Sequence, residues 1–130
     1  MSEHSAVIRW VRNEGEVFKD NQYSRAHFWE FDGGLTVPAS PSPLVVPLPL
    51  SVEAKRKYVI DSYTDEAVGV LSKNSEGRAA VTKVVLRPHI VFSGDKIPNK
   101  EQLTKMHHLS HENCFIANSV KTEVITDIIA

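Results

Sequence analysis

Alternation of apolar and polar residues dominates the first two thirds of the chain and predicts β-strands. Runs of this kind, each closed by turn-forming residues, cover Ala6–Arg12, about Tyr23–Phe31, Lys57–Leu71 and Arg78–Phe92. The segment Lys73–Gly77 between the last two runs predicts a hairpin turn. Pro88 predicts an edge position or a bulge in the fourth strand, because proline has no N–H group to donate.

A helix is predicted after the fourth strand. Asn99 followed by Gln102 has the spacing of a capping box. One face of this helix then continues as far as Cys114 through Leu103, Met106 and Ser110. A last strand alternates around Val120, Val124 and Ile128. Strands joined by hairpins, one helix and a closing strand predict a single α+β domain over residues 1–130, with an antiparallel sheet.

The segment from Pro38 to Leu50 contains five prolines, which exclude both a helix and a central strand. Leucine and valine fill most of its other positions, so we expect it to lie against a surface of its own or of a partner subunit. A polyproline ligand for a peptide-binding module is the alternative.

The composition of the chain argues against several classes of function. The net charge of -1 over 130 residues gives no field that attracts nucleic acid or an anionic membrane. No run approaches the roughly 20 apolar residues of a membrane-spanning helix, and Met1–Ser5 has no apolar signal-peptide core. A cytoplasmic protein is therefore expected. Its one cysteine cannot form an internal disulfide.

The densest group of chemically capable side chains lies between His107 and Asn118. On a continuous helix, His107, His111 and Cys114 project from one face, and two imidazoles with a thiolate can hold Zn²⁺ if a fourth ligand is present. No second ligand pair completes such a set in the sequence. A metal site therefore stays an alternative, and no bound metal is the main expectation.

A redox role for Cys114 is a second hypothesis. Protonated histidines nearby would favour its thiolate, and a reactive thiol also needs a partner for the departing anion. Arg25 is the candidate partner, because its strand also carries Trp29 and Phe31, and a guanidinium among aromatic residues requires an anion. The alternative is that Cys114 is a small buried hydrophobic residue without reactivity.

Several separated segments resemble the OsmC/Ohr family of osmotically inducible and organic hydroperoxide resistance proteins. The run Cys114–Val124, preceded by the histidine-rich helix, is similar to the C-terminal cysteine motif of this family. An OsmC-like subgroup is matched in the same order by Tyr23–His27, Val37–Leu48, Asp61–Tyr63 and Ala67–Gly69. The resemblance covers nearly the whole chain.

The resemblance implies an intertwined homodimer, in which antiparallel sheets surround two long central helices. It also implies a thiol peroxidase that acts on small organic hydroperoxides. A first cysteine becomes a sulfenic acid, a second forms a disulfide with it, and a dithiol such as dihydrolipoamide, free or as a lipoyl protein, restores both. Cys114 matches the second cysteine and Arg25 matches the arginine that steadies the thiolate. No bound cofactor is implied.

One departure from the family affects the chemistry directly. Between about residues 53 and 54, the family has an acidic Pro-Glu-Glu segment and a long apolar helix with the first cysteine, and neither is present here. Glu53 alone does not replace the family's catalytic carboxylate. An intact mass above 14.5 kDa by the mass of a long helix would show that the natural polypeptide retains this segment. Without it, a catalytically inactive binding domain of the same fold is the alternative function.

Overall fold

A computed structural model describes residues 1–18, 23–40 and 57–129. Strands of these ranges form one sheet, and two helices precede its last strand. In chain order, the elements are β1 (Ser2–Val11), β2 (His27–Phe31), β3 (Thr36–Ala39), β4 (Val59–Lys73), β5 (Ala79–Leu86), β6 (Pro88–Ser93), α1 (Lys100–Glu112), α2 (Phe115–Ser119) and β7 (Glu123–Thr126). Most of the proline-rich segment and the predicted junction between residues 53 and 54 lie outside the described residues.

Strand β4 organises the sheet. It is 15 residues long and pairs with β1 along the whole length of β1, from Ser2 opposite Leu71 to Val11 opposite Ser62. Its other edge is divided between β6, which pairs with the first half of β4, and β5, which pairs with the second half. The strand order β3-β2-β1-β4-β5-β7 therefore places β2 and β7 on opposite sides of the central pair.

The expectation of a purely antiparallel sheet is wrong. Strand β7 runs parallel to β5, with Val84 opposite Val124, so the sheet is mixed. A parallel pair needs a long connection, and the stretch between β5 and β7, which contains β6 and both helices, provides one. The α+β class itself is confirmed, and whether two chains form a dimer stays a prediction.

The corner between β5 and β6 explains the predicted irregularity at Pro88. Pro88 is the first residue of β6 and is almost fully buried. The backbone N–H of Arg87 donates to Asp65 Oδ1 at 2.7 Å, and the Tyr63 hydroxyl donates to Asp65 Oδ2 at 3.1 Å. Asp65 is only 3% exposed, so these hydrogen bonds compensate for its burial and fix the corner.

The second predicted strand begins later than expected, at His27 instead of Tyr23. The residues just before His27 do not pair with a neighbouring strand, because side chains bind their backbone. Trp10 Nε1 donates to the Ser24 carbonyl at 2.7 Å, and the Ser24 N–H donates to Glu16 Oε1 at 2.6 Å. Because these groups are bonded to side chains, they do not extend the ladder of β2. Arg25 therefore lies in a loop above the sheet.

A small aromatic cluster forms the core beside this loop. Phe18 and Ile60 are 3% and 7% exposed, and half-buried side chains pack around them: Trp10, Tyr23, Val59, Ile90 and Phe92. The Phe18 and Tyr23 rings stack with centroids 4.4 Å apart. Elsewhere in the described ranges, Tyr58 and Met106 are also buried, whereas many apolar residues of the sheet stay exposed.

An ion pair joins β1 to β4 near this core, and it predicts a pH dependence of stability. Arg12 Nη2 donates to Asp61 Oδ1, which also accepts from Ser93 Oγ at 2.9 Å. The hydrogen bond from Arg12, followed by that from Ser93, lowers the pKa of Asp61 below its ordinary value of 3.8. A carboxylate with a depressed pKa in the folded state stabilises the fold above its unfolded pKa, and this contribution disappears as pH falls through the folded pKa.

We expect Asp61→Asn to lower the free energy of unfolding by about 1 kcal/mol at neutral pH, a modest value because the side chain is 38% exposed. The difference from wild type should shrink as pH falls below about 4. Urea unfolding across this pH range measures it, and the exposed Asp95→Asn serves as control. A difference that stays constant with pH would contradict the assignment.

Candidate functional site

A pocket around Arg25 opens on one face of the sheet; we call it the Arg25 pocket. It has a volume of about 350 Å³. Strands β1 and β4 form its floor, and the loop before β2 forms its wall. Its lining consists of Ile8, Trp10, Phe18, Tyr23, Arg25, His27, Ile60 and Tyr63. Almost all of these side chains present carbon to the cavity, and Arg25 brings the one permanent charge of the lining.

The guanidinium of Arg25 is held mainly by an aromatic ring. Its Cζ lies 4.7 Å from the centroid of the Tyr23 ring, which is cation–π geometry. Its Nη2 atom is buried and makes no hydrogen bond in the structure. The Arg25 carbonyl accepts a hydrogen bond from His27 Nδ1 at 2.8 Å, which fixes the loop next to β2.

Cys114 occupies a different part of the fold. It lies between α1 and α2 and is half-buried. Its backbone is extended, with φ -76° and ψ 110°, and it is the N-cap residue of α2. The Cys114 N–H donates to the His111 carbonyl at 3.2 Å, and the Cys114 carbonyl accepts from the Asn118 N–H at 3.0 Å.

The prediction that α1 continues as far as Cys114 is wrong. The capping box at Asn99 and Gln102 is confirmed, but the helix ends at Glu112. Two side-chain amides donate hydrogen bonds to the last carbonyl groups of the helix. Asn113 Nδ2 donates to the Leu109 carbonyl at 2.8 Å, and Asn118 Nδ2 donates to the Glu112 carbonyl at 3.0 Å. Asparagine amides compete well for backbone groups, so the helix stops before the cysteine.

This ending removes the argument for a metal site on one helix face. His107 and His111 line a pocket of about 210 Å³ between α1 and the β7 region, and Cys114 is not among its lining residues. His108 Nε2 lies 3.2 Å from Glu112 Oε1 and is directed along the helix. Within the described ranges, no group of three or more His, Cys, Asp or Glu side chains is arranged to hold a metal ion.

Arg25 and Cys114 are not brought together within one chain. Among the described residues, no hydrogen bond or ion pair links them. Arg25 precedes β2, whereas Cys114 precedes β7 on the other side of β1 and β4 in the strand order. A pairing of the two residues, as the family resemblance implies, therefore requires a second chain or a rearrangement.

The residues that hold the Arg25 loop in place were not evident from the sequence. Glu16 accepts hydrogen bonds from the N–H groups of Ser24 and Asn13, and Arg12 Nη1 donates to the Glu16 carbonyl at 2.7 Å. Phe18 supplies the ring on which Tyr23 stacks. The available signal was the spacing of Glu16 and Phe18, an acidic and an aromatic residue two positions apart ahead of a strand. This spacing does not reveal which N–H group the Glu16 carboxylate binds.

Comparison with solved structures matched the chain to an OsmC-like protein of unknown function from Vibrio cholerae. The two are 55% identical, the match covers 99% of this chain and 100% of that chain, and the TM-score is 0.60. The chain belongs to the OsmC-like family. No family model and no curated protein matched it in the corresponding comparisons.

Membership of the OsmC-like family confirms the resemblance drawn from the cysteine motif and the segments before it. It leaves the activity open, because the Vibrio cholerae protein is itself of unknown function. In the described part of this OsmC-like chain, no helix has the length and apolarity needed to cross a membrane.

Proposed function

We propose that this OsmC-like chain acts in defence against organic hydroperoxides and that Cys114 is its redox-active residue. The observation that carries the proposal is the partial exposure of the one cysteine in a chain that is 55% identical to an OsmC-like protein. Partial exposure matters because a thiol must reach a peroxide to react with it.

The chemistry balances only with a second thiol. Cys114 matches the family's second cysteine, but as the one thiol of the chain it takes the role of the first. Its thiolate attacks one peroxide oxygen, the O–O bond breaks, and an alcohol leaves after taking up a proton, so that the sulfur is oxidised to a sulfenic acid. A thiol then displaces water from the sulfenic acid and forms a disulfide, which a dithiol such as dihydrolipoamide reduces. With one cysteine per chain, the resolving thiol must come from another molecule.

We expect Cys114→Ser to abolish thiol-dependent consumption of an organic hydroperoxide in the presence of dihydrolipoamide. The reagent dimedone should label the sulfenic acid of the wild type and leave this variant unlabelled. Ser119→Ala, in the neighbouring helix α2, is the matched control and should react like the wild type. Equal rates for Cys114→Ser and the wild type would exclude a role for this residue.

A catalytically inactive binding domain is the second candidate function. It is favoured by the separate positions of Arg25 and Cys114 and by the pocket that surrounds Arg25 alone. The rate at which an alkylating reagent modifies Cys114 at neutral pH distinguishes the two candidates. A thiol that reacts no faster than free cysteine would favour the binding domain.

We also propose that the chain is a homodimer. Many large apolar side chains of the described residues are left exposed to solvent, and a partner chain would cover some of them. One group of exposed apolar side chains lies on β2 and β3, where Trp29, Phe31 and Val37 are 42%, 39% and 37% exposed.

These three residues, which we call the Trp29 patch, lie on one face of the sheet. Trp29 stands opposite both Ile8 of β1 and Val37 of β3, and directly opposed residues point to the same face. Ile8 also lines the Arg25 pocket, so the patch and the pocket share that face. A partner chain that covers the patch would approach the pocket and could bring its own Cys114 towards Arg25.

A further inference from the structure

The Arg25 pocket has the features of a small-molecule site, and Cys114 of the same chain is not among its lining residues. Its volume of about 350 Å³ lies within the range of pockets that hold small organic ligands. Three aromatic rings meet at one end: the Trp10 and Tyr23 centroids are 5.7 Å apart in an edge arrangement, and Phe18 stacks on Tyr23. Such walls bind an apolar or aromatic body.

The charge of Arg25 is incompletely satisfied in this pocket. Nη2 is buried without a hydrogen bond, and the Tyr23 ring contributes attraction to the cation but no oxygen acceptor. A buried N–H group of a charged side chain destabilises the protein when it has no hydrogen-bond acceptor. A ligand that brings an acceptor into the pocket removes this cost, and its binding becomes more favourable. The effect is largest when the acceptor is negatively charged.

The neighbouring carboxylates of the chain are already bonded elsewhere. Glu16 accepts from the N–H groups of Ser24 and Asn13, and Asp65 accepts from the Arg87 N–H and the Tyr63 hydroxyl. Among the described residues, no ion pair joins either of these carboxylates to Arg25. In the part of the chain that the structure describes, Arg25 therefore has no anionic partner, and an anionic ligand would supply one.

We propose that the Arg25 pocket binds a small aromatic carboxylate. The planar guanidinium presents parallel N–H groups that match the two oxygens of a carboxylate, and the rings of Trp10, Phe18 and Tyr23 receive the aromatic body. A phosphate ester would bring a second negative charge into a lining that has one arginine and mostly carbon. This binding goes beyond the peroxide chemistry and does not depend on Cys114.

Calorimetric titration of the full chain with phenylacetate and with phenylacetamide tests the proposal. The two probes have nearly the same shape and differ in charge. We expect phenylacetate to bind the wild type at least about tenfold more tightly than the amide, since the amide keeps one carbonyl acceptor but lacks the second acceptor oxygen and the negative charge. Equal affinities, or no binding of phenylacetate, would overturn the proposal without any variant being made.

Two arginine variants then locate the binding. Arg25→Met should weaken phenylacetate binding at least about tenfold and remove the preference over the amide. Arg9→Met is the matched control, because Arg9 pairs with Glu30 at 3.2 Å on the opposite face of the sheet, and it should bind like the wild type. Equal weakening in both variants would show a nonspecific charge effect and overturn the proposal.

Cys114→Ser separates this proposal from the peroxide chemistry. We expect this variant to bind phenylacetate with unchanged affinity, even though it should lose peroxide consumption. If the substitution also abolished phenylacetate binding, the pocket would not be independent of the cysteine and the proposal would be wrong. An inactive wild type that still binds phenylacetate would contradict the proposed peroxide function alone.

Discussion

Phe18→Ala is expected to lower the free energy of unfolding by about 3–5 kcal/mol, the usual range for removal of a buried phenylalanine ring. Phe18 is 3% exposed, stacks on Tyr23 and lies 6.2 Å from the Trp10 ring between centroids. Domains of this size have a total stability of about 5–15 kcal/mol. With so few fully buried apolar residues in the described ranges, one ring carries a large share of that stability.

The same substitution should loosen the Arg25 pocket, because Tyr23 would lose the ring that fixes it and Arg25 packs on Tyr23. Urea unfolding gives the stability, and titration with phenylacetate under folding conditions gives the effect on the pocket. Phe28→Ala removes the same atoms from a residue that is 52% exposed, and it should cost less than about 1 kcal/mol. Similar losses for both variants would show that the Phe18 cluster is not the core.

Local chemistry made parts of this fold predictable from the sequence. The alternation around Ile8 and Trp10 predicts the apolar face of β1, and both residues line the pocket on that face. The turn before β5 is fixed by Asn74, whose side chain accepts from the N–H groups of Glu76 and Arg78 at 3.0 Å each. In each case, the interaction that decides the structure lies within a few residues in the chain.

Other features depended on contacts between distant residues. The parallel pairing of β7 with β5 was not visible, because the alternation of a strand does not indicate the direction of its neighbour. The path of Tyr23–Ala26 was missed because Trp10 and Glu16 bind its backbone from another part of the chain. The residue pattern of this segment is typical of a strand, but its backbone groups form hydrogen bonds with side chains instead of with a neighbouring strand.

The roles of Arg25 and Cys114 stay predictions, and the structure adds where each of them lies. Aromatic rings do surround Arg25, but they are those of Trp10, Phe18 and Tyr23 and not the Trp29 and Phe31 expected from a shared strand, and Cys114 lies just beyond the histidine-rich helix. Their expected proximity rested on the chemistry of a guanidinium among aromatic residues and on the family resemblance, and neither determines a distance in space. Because β1 and β4 lie between their positions in the sheet, only a second chain offers a simple way to join them without refolding.

Trp29→Glu is therefore expected to weaken the proposed homodimer about 100-fold or more, and to give monomers at low micromolar concentration. Trp29 is the largest residue of the Trp29 patch, with its ring 6.2 Å from that of Phe31. A buried tryptophan at the centre of an interface commonly contributes about 2 kcal/mol or more to the free energy of association. A carboxylate at the same place adds a desolvation penalty. Light scattering over a dilution series measures the effect.

Phe28→Glu provides the matched control for this measurement. Phe28 precedes Trp29 in β2, is more exposed, and stands opposite Arg9 on the other face of the sheet. The same carboxylate at this position should leave the dimer intact, because it lies outside the Trp29 patch. A wild-type chain that is monomeric at high concentration, or two variants that dissociate alike, would rule out this face as the dimer interface. A monomeric wild type would also leave Arg25 without a partner chain to supply a cysteine.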